Sequence, residues 1–337
     1  MRGRGRLAGL AVAVAAVAAT GTTSMVIASR AHGAGTPVAR PKATPAPTPS
    51  PAPTATATPT PVPTPAPTPT PTPTPAPTPT PTPPPPPPTP APTSLPGHLV
   101  TTTLAGHSVI VYVPGAYAAL PTTRFGVLYF LHGSPGNAES WIGGGGMPAM
   151  LDGMIASGQL PPVIAVFPDD QGVVSDDSWW GDTPLGDTVE TWLVNTLVPT
   201  IDAQYRTVGA ARRGIAGLSA GGFGAVNIAI HHPGLFSWVG SYSGVFTAPA
   251  NLFGAESDAN SPELTAPALP AAQRFPLYLG GGSQDSEFLP DTEQFATTVE
   301  GLGWAPLHTE IVPGPHGWQA WTAEARDSLT WLGQLWR

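Results

Sequence analysis

The sequence predicts an α/β fold, with a mostly parallel, doubly wound sheet that carries helices on both faces. Short continuous apolar runs recur through residues 97–337, and runs of this kind are typical of strands buried on both faces. Segments with helical spacing of apolar residues separate these runs, and strands that alternate with helices build parallel sheets. The roughly 240 residues involved suit a single domain of this class.

The predicted strands begin with a hairpin and end with an edge strand. In the hairpin, Leu99–Leu104 and Ser108–Val113 are joined by the turn Ala105-Gly106-His107. Continuous apolar runs predict the central strands, which are Phe125–Leu131, Val163–Phe167, Gly214–Leu218, Ser237–Tyr242 and Pro276–Leu279. The last run, Leu307–Val312, alternates apolar and polar residues, as an edge strand does.

Helical patterns lie between and after these runs. Asp187 and Glu190 form a capping box ahead of an apolar stripe, which comprises Val189, Trp192, Leu193, Leu197 and Ile201. Ala220 to Ile230 is a second helix of mostly small residues, stopped by Pro233. The last helix carries apolar residues at helical spacing, namely Trp318, Trp321, Ala325, Leu329, Leu332 and Trp336. Asp291 is predicted to cap a further helix.

The N-terminal third has a different composition. Of the 47 prolines, 28 lie between Pro37 and Pro96. Because proline removes amide donors and fixes φ, residues 36–96 cannot bury a core, and we expect a disordered spacer rich in proline and threonine. Such a spacer favours polyproline II and suits a domain carried through a cell wall.

Residues 1–35 carry an export signal. Arg2, Arg4 and Arg6 precede an apolar run from Leu7 to Ala19, the order found in a secretory signal peptide. A second apolar patch extends the run to Ala28, which is also long enough for an uncleaved membrane anchor. Either interpretation places residues 97–337 outside the cytoplasm, secreted or associated with the cell envelope.

Charge and cysteine content exclude several classes of function. All 21 acidic residues lie at or after Glu139, whereas residues 97–337 contain seven arginines and no lysine. An acidic domain of this kind repels phosphate backbones, so nucleic-acid binding is excluded. The chain has no cysteine, which excludes disulfides, thiolate metal sites and a cysteine nucleophile. No metal or organic cofactor is expected.

Ser219 is the predicted nucleophile. It lies in Gly217-Leu-Ser-Ala-Gly221, the single GxSxG of the chain. The motif follows an apolar strand and opens a helix of small residues, which is the setting that a nucleophile elbow requires. The alternative is a serine that merely caps a helix.

The base and the acid are predicted on loops that follow later strands. His316 lies between the last strand and the last helix, where an imidazole can reach the carboxyl ends of the strands. Asp285 follows the strand Pro276–Leu279 and is the favoured acid, with Glu287 as its rival. The order Ser219, Asp285, His316 is that of an α/β-hydrolase.

The remaining site residues are an oxyanion hole and an aromatic lining. One amide is expected from Ala220 and a second from Ser134, in the loop His132-Gly-Ser-Pro-Gly136, with His132 as a support for that loop. Four tryptophans are candidate substrate-binding residues for a sugar or an aromatic acid, namely Trp141, Trp179, Trp180 and Trp318.

These motifs resemble the esterase D family of α/β-hydrolases. The resemblance rests on Val127–Gly133, Thr191–Arg206, Arg213–Phe236, Gly240–Gly244 and Gly314–Trp321, and it extends over Leu99 to Arg337. The family includes feruloyl and acetyl-xylan esterases, S-formylglutathione hydrolase and mycolyltransferases. The resemblance implies a serine esterase with an acyl-enzyme intermediate, acting on short-chain, acetyl or feruloyl esters of sugars or polysaccharides.

Other functions stay open at this stage. The mycolyltransferase branch implies an envelope acyltransferase, but it carries a glutamate as its acid and usually an arginine where Pro135 stands here. A glycosidase would need two carboxylates that face each other, and Asp169, Asp170, Asp176 and Asp177 are crowded in one loop. A non-catalytic wall-binding or scaffold protein on a hydrolase fold is the alternative from another class.

Overall fold

The computed structural model describes residues 95–171 and 177–337. The predicted signal segment, the spacer up to residue 94 and Asp176 lie outside the described residues. Eight strands form one sheet: β1 (His98–Leu104), β2 (His107–Val113), β3 (Gly126–Leu131), β4 (Val163–Pro168), β5 (Arg213–Leu218), β6 (Trp238–Tyr242), β7 (Leu277–Gly282) and β8 (Leu307–Val312).

Ten α-helical segments accompany the sheet in the described residues. They are α1 (Ala116–Ala119), α2 (Ser140–Gly143), α3 (Met147–Ala156), α4 (Val189–Trp192), α5 (Val198–Gln204), α6 (Ala220–His231), α7 (Ala250–Phe253), α8 (Pro262–Thr265), α9 (Leu289–Gly301) and α10 (Trp318–Leu335). A π-helical turn, Leu193–Leu197, makes α4 and α5 continuous. Within 95–171 and 177–337, no helix combines the length and the apolar character needed to cross a membrane.

The strand order is β1-β2-β4-β3-β5-β6-β7-β8. β1 pairs antiparallel with β2, and β2 antiparallel with β4, while every later pair is parallel. The predicted hairpin, central strands and mostly parallel sheet are therefore confirmed. Since β3, β5, β7 and β8 run in one direction, the loops that follow them meet at one edge of the sheet.

Both faces of the central strands β3 to β7 are buried. Along β3, Val127 and Tyr129 point into a core shared with α5, α6 and α9, whereas Leu128 and Phe130 point into a core shared with α3 and α10. Apolar side chains on both sides of one strand explain its continuous apolar sequence, because no residue of it faces water.

Two predicted helix caps are wrong. Helix α4 begins after Thr188 without a side-chain cap, and Glu190 instead accepts hydrogen bonds from His231 and His232, each at 2.9 Å. The two imidazoles at the end of α6 therefore bind this carboxylate, and it is not available to cap α4. Helix α9 begins after Phe288, so Asp291 lies inside its first turn and does not cap it.

Candidate active site

Ser219 occupies a strained turn between β5 and α6. Its backbone has φ 54° and ψ −121°, a conformation rare for a residue with a side chain. Its amide donates to the carbonyl of Tyr242 at 2.9 Å, which fixes the turn to the end of β6. A side chain at Gly217 would overlap Gly221, and one at Gly221 would overlap the carbonyls of Leu131 and His132. Both motif glycines are therefore required by close backbone approach.

The predicted base and acid lie beside this serine. His316 Nε2 is 3.0 Å from Ser219 Oγ, and His316 Nδ1 is 2.6 Å from Asp285 Oδ2. The Asp285 side chain is 1 % exposed and that of His316 is 24 % exposed. The buried carboxylate of Asp285 thus binds one nitrogen of the imidazole, and the other nitrogen faces Ser219.

Asp285 is anchored by more than the imidazole. Its Oδ1 atom accepts the amide of Phe288 at 3.0 Å, and its own amide donates to the carbonyl of Gly282 at the end of β7. Glu287, the rival acid, is exposed. The loop after β7 therefore brings Asp285, and not Glu287, to the imidazole.

A cavity of about 200 Å³ opens over Ser219. Its walls include Ser134 from the loop after β3, Leu218, His316, Trp318 and Trp321. Ser134 lines this cavity, and Ala220 is the first residue of α6, where helix amides are free to bind an anion.

The structure brings only Trp318 of the four predicted tryptophans to this cavity. Trp141 and Trp180 are each 1 % exposed, and their indole nitrogens donate to the carbonyls of Leu131 and His132. Trp179 packs edge-on against Phe223, with 5.7 Å between ring centroids. Trp141 and Trp180 thus support the loops behind the site, because burial there satisfies both their rings and their N–H groups, whereas Trp179 is half-buried and packs beside α6.

His132 supports the loop after β3, as the sequence indicated. Its ring is buried, Nδ1 lies 3.0 Å from the carbonyl of Gly133, and Nε2 lies 3.3 Å from Asp170 and 3.8 Å from Asp169. Burial alone would lower the pKa of His132, but these carboxylates outweigh it and raise the pKa. The ligand atoms of His132, Asp169 and Asp170 lie close enough together to hold a cation. The same is true of His308, Glu310 and Asp327.

Three residues near the site were not identified from the sequence. Phe288 and Trp321 flank the imidazole of His316, with centroid distances of 4.4 and 5.1 Å. Glu324 is a fully buried carboxyl on α10. A signal for it exists, since Ala320, Glu324 and Ser328 follow one another at four-residue spacing along the buried side of that helix.

The model of a family described as putative esterase matches residues 105–332 of the chain. An endo-1,4-beta-xylanase/feruloyl esterase of Xylanibacter ruminicola is 32% identical over 147 residues, which are 42% of this chain and 20% of that protein. An uncharacterised protein of Corynebacterium glutamicum is 25% identical over 268 residues, which are 71% of this chain and 62% of that protein. The chain thus spans less than two thirds of either relative.

Solved structures share the fold. A ferulic acid esterase superposes with a TM-score of 0.64 at 24% identity, covering 71% of this chain and 98% of that one. Similarity at this level of identity defines architecture and leaves chemistry to the site. The fold is that of the α/β-hydrolase esterases, which confirms the resemblance drawn from the motifs.

Proposed function

We propose that this chain, which belongs to the putative esterase family, is a serine hydrolase of short-chain carboxylic esters. The observation that carries the proposal is the alignment of three side chains, with Ser219 Oγ 3.0 Å from His316 Nε2 and His316 Nδ1 2.6 Å from Asp285 Oδ2. Each group is within hydrogen-bond reach of the next, which is what activation of a serine needs.

Acylation begins when Ser219 Oγ attacks the ester carbonyl and His316 Nε2 takes its proton. Asp285 holds Nδ1–H and stabilises the imidazolium that forms. The negative charge on the former carbonyl oxygen is met by the amides of Ala220 and Ser134. As the tetrahedral intermediate collapses, His316 returns the proton to the leaving alcohol, and the acyl group stays on Ser219.

Deacylation repeats these steps with water. His316 takes a proton from the attacking water, the same amides hold the second tetrahedral intermediate, and Ser219 Oγ leaves with the proton from Nε2. No residue besides the triad and the two amides needs to touch the reacting atoms. The reaction therefore asks nothing of a metal or an organic cofactor.

The volume of the cavity favours a small acyl group. Drug-sized ligands occupy pockets of roughly 300–1,000 Å³, whereas the volume over Ser219 is about 200 Å³. Acetyl and other short acyl groups fit this volume, with an alcohol that extends toward solvent. The Xylanibacter ruminicola relative is named for feruloyl ester and xylan chemistry. We therefore infer that the alcohol is a sugar or polysaccharide and that feruloyl esters are the alternative acyl donors.

Export is part of the proposal. The arginines and apolar run of residues 1–35 and the proline-rich spacer suit an enzyme released to, or held at, the cell envelope. A polysaccharide ester is a substrate found on that side of the membrane, so location and chemistry agree.

Hydrolysis of p-nitrophenyl acetate and butyrate by the full chain tests the proposal. We expect activity in the wild type that falls at least a hundredfold in Ser219→Ala and in His316→Ala. Ser157→Ala, which changes an exposed serine beyond α3, is the matched control and stays active. Wild-type protein that is folded and yet inactive on every ester contradicts the proposal.

A fluorophosphonate probe separates the alternatives. Labelling of the wild type and of Ser157→Ala, with none in Ser219→Ala, identifies the nucleophile. A non-catalytic scaffold predicts no labelling of any of the three. An acyltransferase predicts labelling together with transfer of acetyl to an added sugar in preference to water, which product analysis detects.

A further inference from the structure

Glu324 is a buried carboxyl group that the proposed reaction does not use. It is 0 % exposed, and its Oε1 atom accepts a hydrogen bond from Ser243 Oγ at 3.0 Å. In the described part of the chain, its Oε2 atom has no hydrogen-bond partner. A buried polar atom without a hydrogen-bond partner destabilises the folded chain. A carboxyl group kept at that cost within the fold calls for an explanation.

Among the described residues, the ionisable groups that interact electrostatically with Glu324 are acids. They are Asp285 from the loop after β7, Tyr278 of β7 and Tyr242 of β6. Burial is the main cause that raises the pKa of Glu324 to about 8, and the charge of Asp285 adds to it. The group is therefore an uncharged acid at neutral pH, in the way that buried carboxyls without a cation are.

Glu324 contacts the segments that carry the proposed nucleophile and acid. Its partner Ser243 directly follows Tyr242, whose carbonyl accepts the amide of Ser219. The amide of Ser243 donates to the carbonyl of Gly280 at 2.8 Å, and Gly280 lies on β7, the strand that leads to Asp285. A side chain at Gly280 would come within 2.8 Å of Glu324 Oε2, so the carboxyl fills the space that the glycine leaves.

The helix that carries Glu324 begins two residues after His316. Helix α10 starts at Trp318. On this helix Trp321, three residues before Glu324, packs edge-on against the imidazole of His316. The end of β6, which binds the amide of Ser219, the strand β7, which leads to Asp285, and the helix α10, which follows His316, consequently meet at one carboxyl group. Ser243 supports the same interpretation, because it holds φ 50° with a fully buried side chain, a strained conformation that its surroundings must maintain.

We propose that Glu324 is a positioning residue that holds the ends of β6 and β7 at the spacing at which Asp285 bonds to His316. The inference rests on the proposed function, since it concerns the same three side chains. When Glu324 loses its proton, a second negative charge lies beside buried Asp285. Repulsion between the two carboxylates then disturbs the orientation of the imidazole, and kcat falls.

Two substitutions at one position test this. Glu324→Gln keeps the size and the neutral state, and we expect kcat at pH 7 within about threefold of the wild type. Glu324→Leu keeps the volume without the polar contact to Ser243, and we expect a loss of about tenfold or more in kcat, since small misplacements of catalytic groups are costly. KM changes little in either variant, because Glu324 does not line the cavity.

The pH profile is the readout that a merely structural role would not move. We expect kcat of the wild type to decline above about pH 8 and that of Glu324→Gln to hold its value there. Asp327→Asn, a half-exposed carboxyl on the same helix, is the matched control and keeps the wild-type profile. If Glu324→Leu is folded and fully active, or if the wild type and Glu324→Gln decline alike, the inference is wrong.

A second variant covers the case in which Glu324→Leu fails to fold. Ser243→Ala removes the hydroxyl group that donates to Glu324 Oε1, and we expect a loss of kcat without a change in KM. Full activity in this variant contradicts the inference. Fluorophosphonate labelling of the wild type at Ser219 is measured first, because its absence overturns the proposed function and its presence leaves any negative result to Glu324 alone.

Discussion

The ring of Phe288 lies against the imidazole of His316, with 4.4 Å between the two ring centroids and 39° between their planes. An aromatic face at this distance attracts a cation, so it favours the imidazolium that forms as Ser219 loses its proton. Phe288→Leu is therefore expected to lower kcat about fivefold with little change in KM, measured with p-nitrophenyl acetate.

The control for Phe288 is an aromatic residue at the opposite edge of the sheet. Tyr205 follows α5 and packs edge-on against Tyr117, with 6.3 Å between centroids. Tyr205→Leu removes an aromatic ring of similar burial without touching His316, so kcat stays unchanged. Equal losses in the two variants would show that general packing, and not the imidazole contact, is responsible.

We expect Trp318 to limit the length of the acyl group. It forms one wall of the cavity and packs edge-on against Trp141 at 5.4 Å and against Trp321 at 5.2 Å, so its indole has little freedom to move. Trp318→Ala enlarges the cavity. We expect kcat/KM for p-nitrophenyl octanoate, relative to the acetate, to rise about tenfold, as one or two accommodated methylenes would give.

Trp331→Ala serves as the comparison for Trp318. Trp331 lies on the same helix and packs against His308, away from the cavity. Its removal is expected to leave the ratio of octanoate to acetate activity unchanged. An unaltered ratio in Trp318→Ala as well would mean that another surface sets acyl length.

Glu190 couples stability to pH through two histidines. Burial alone would raise the pKa of Glu190, but the hydrogen bonds from His231 and His232 outweigh it and lower the pKa to about 2. Burial alone would lower the pKa of His231, but Glu190 raises it. The carboxylate therefore adds stability above its ordinary pKa of 4.5, and the imidazolium adds stability below its ordinary pKa of 6.5. Both contributions are present together between these two values.

Glu190→Gln is expected to lower the free energy of unfolding by on the order of 2 kcal/mol at pH 5.5 and by less at pH 9. Urea unfolding at the two pH values measures the difference. Glu293→Gln, an exposed carboxyl on α9, has no histidine partner among the described residues and shows no such dependence. A cost at pH 9 that equals the cost at pH 5.5 would contradict the coupling.

Glu324 has the opposite linkage. Its pKa rises from 4.5 to about 8 in the folded chain. Between these values the unfolded chain has lost this proton and the folded chain has kept it, so the unfolding free energy falls by about 1.4 kcal/mol per pH unit from this group. Glu324→Gln removes the dependence. Its stability relative to the wild type should increase from pH 5 to pH 8 in urea titrations, and a constant difference would count against an uncharged Glu324.

Local sequence patterns were sufficient to predict the strands and the strained turn at Ser219. The run Phe125–Leu131 is apolar at every position except Gly126 because both faces of β3 are buried, and such a sequence has few other uses. The turn at Ser219 needs small residues on each side, and the presence of Gly217 and Gly221 predicts this turn. In both cases the requirement is met within a few residues of chain.

Contacts between distant segments were beyond that kind of reasoning. Glu190 has the spacing of a helix cap, and only the fold shows that His231 and His232 reach it from α6. Tryptophans are typical of sugar-binding sites, which made Trp141 and Trp180 candidates. In the structure their N–H groups donate to backbone carbonyls inside the core. The role of a polar or aromatic side chain depends on the residues that surround it in the fold, and local sequence patterns do not predict those residues.

Burial and distance favour Asp285 over Glu287 as the proposed acid, and substitution of the two residues tests the proposed triad most directly. Asp285 lies 2.6 Å from the imidazole and is nearly inaccessible, whereas Glu287 is exposed two residues further along the same loop. Asp285→Asn keeps the size of the side chain but presents an amide to Nδ1, which favours the wrong tautomer of His316. In a serine protease the same change costs about 10⁴ in kcat, and we expect a loss of at least a hundredfold here.

Glu287→Gln stays within about twofold, as surface substitutions do. If Glu287→Gln loses activity and Asp285→Asn does not, the proposed acid is wrong, while fluorophosphonate labelling of Ser219 would still report the nucleophile.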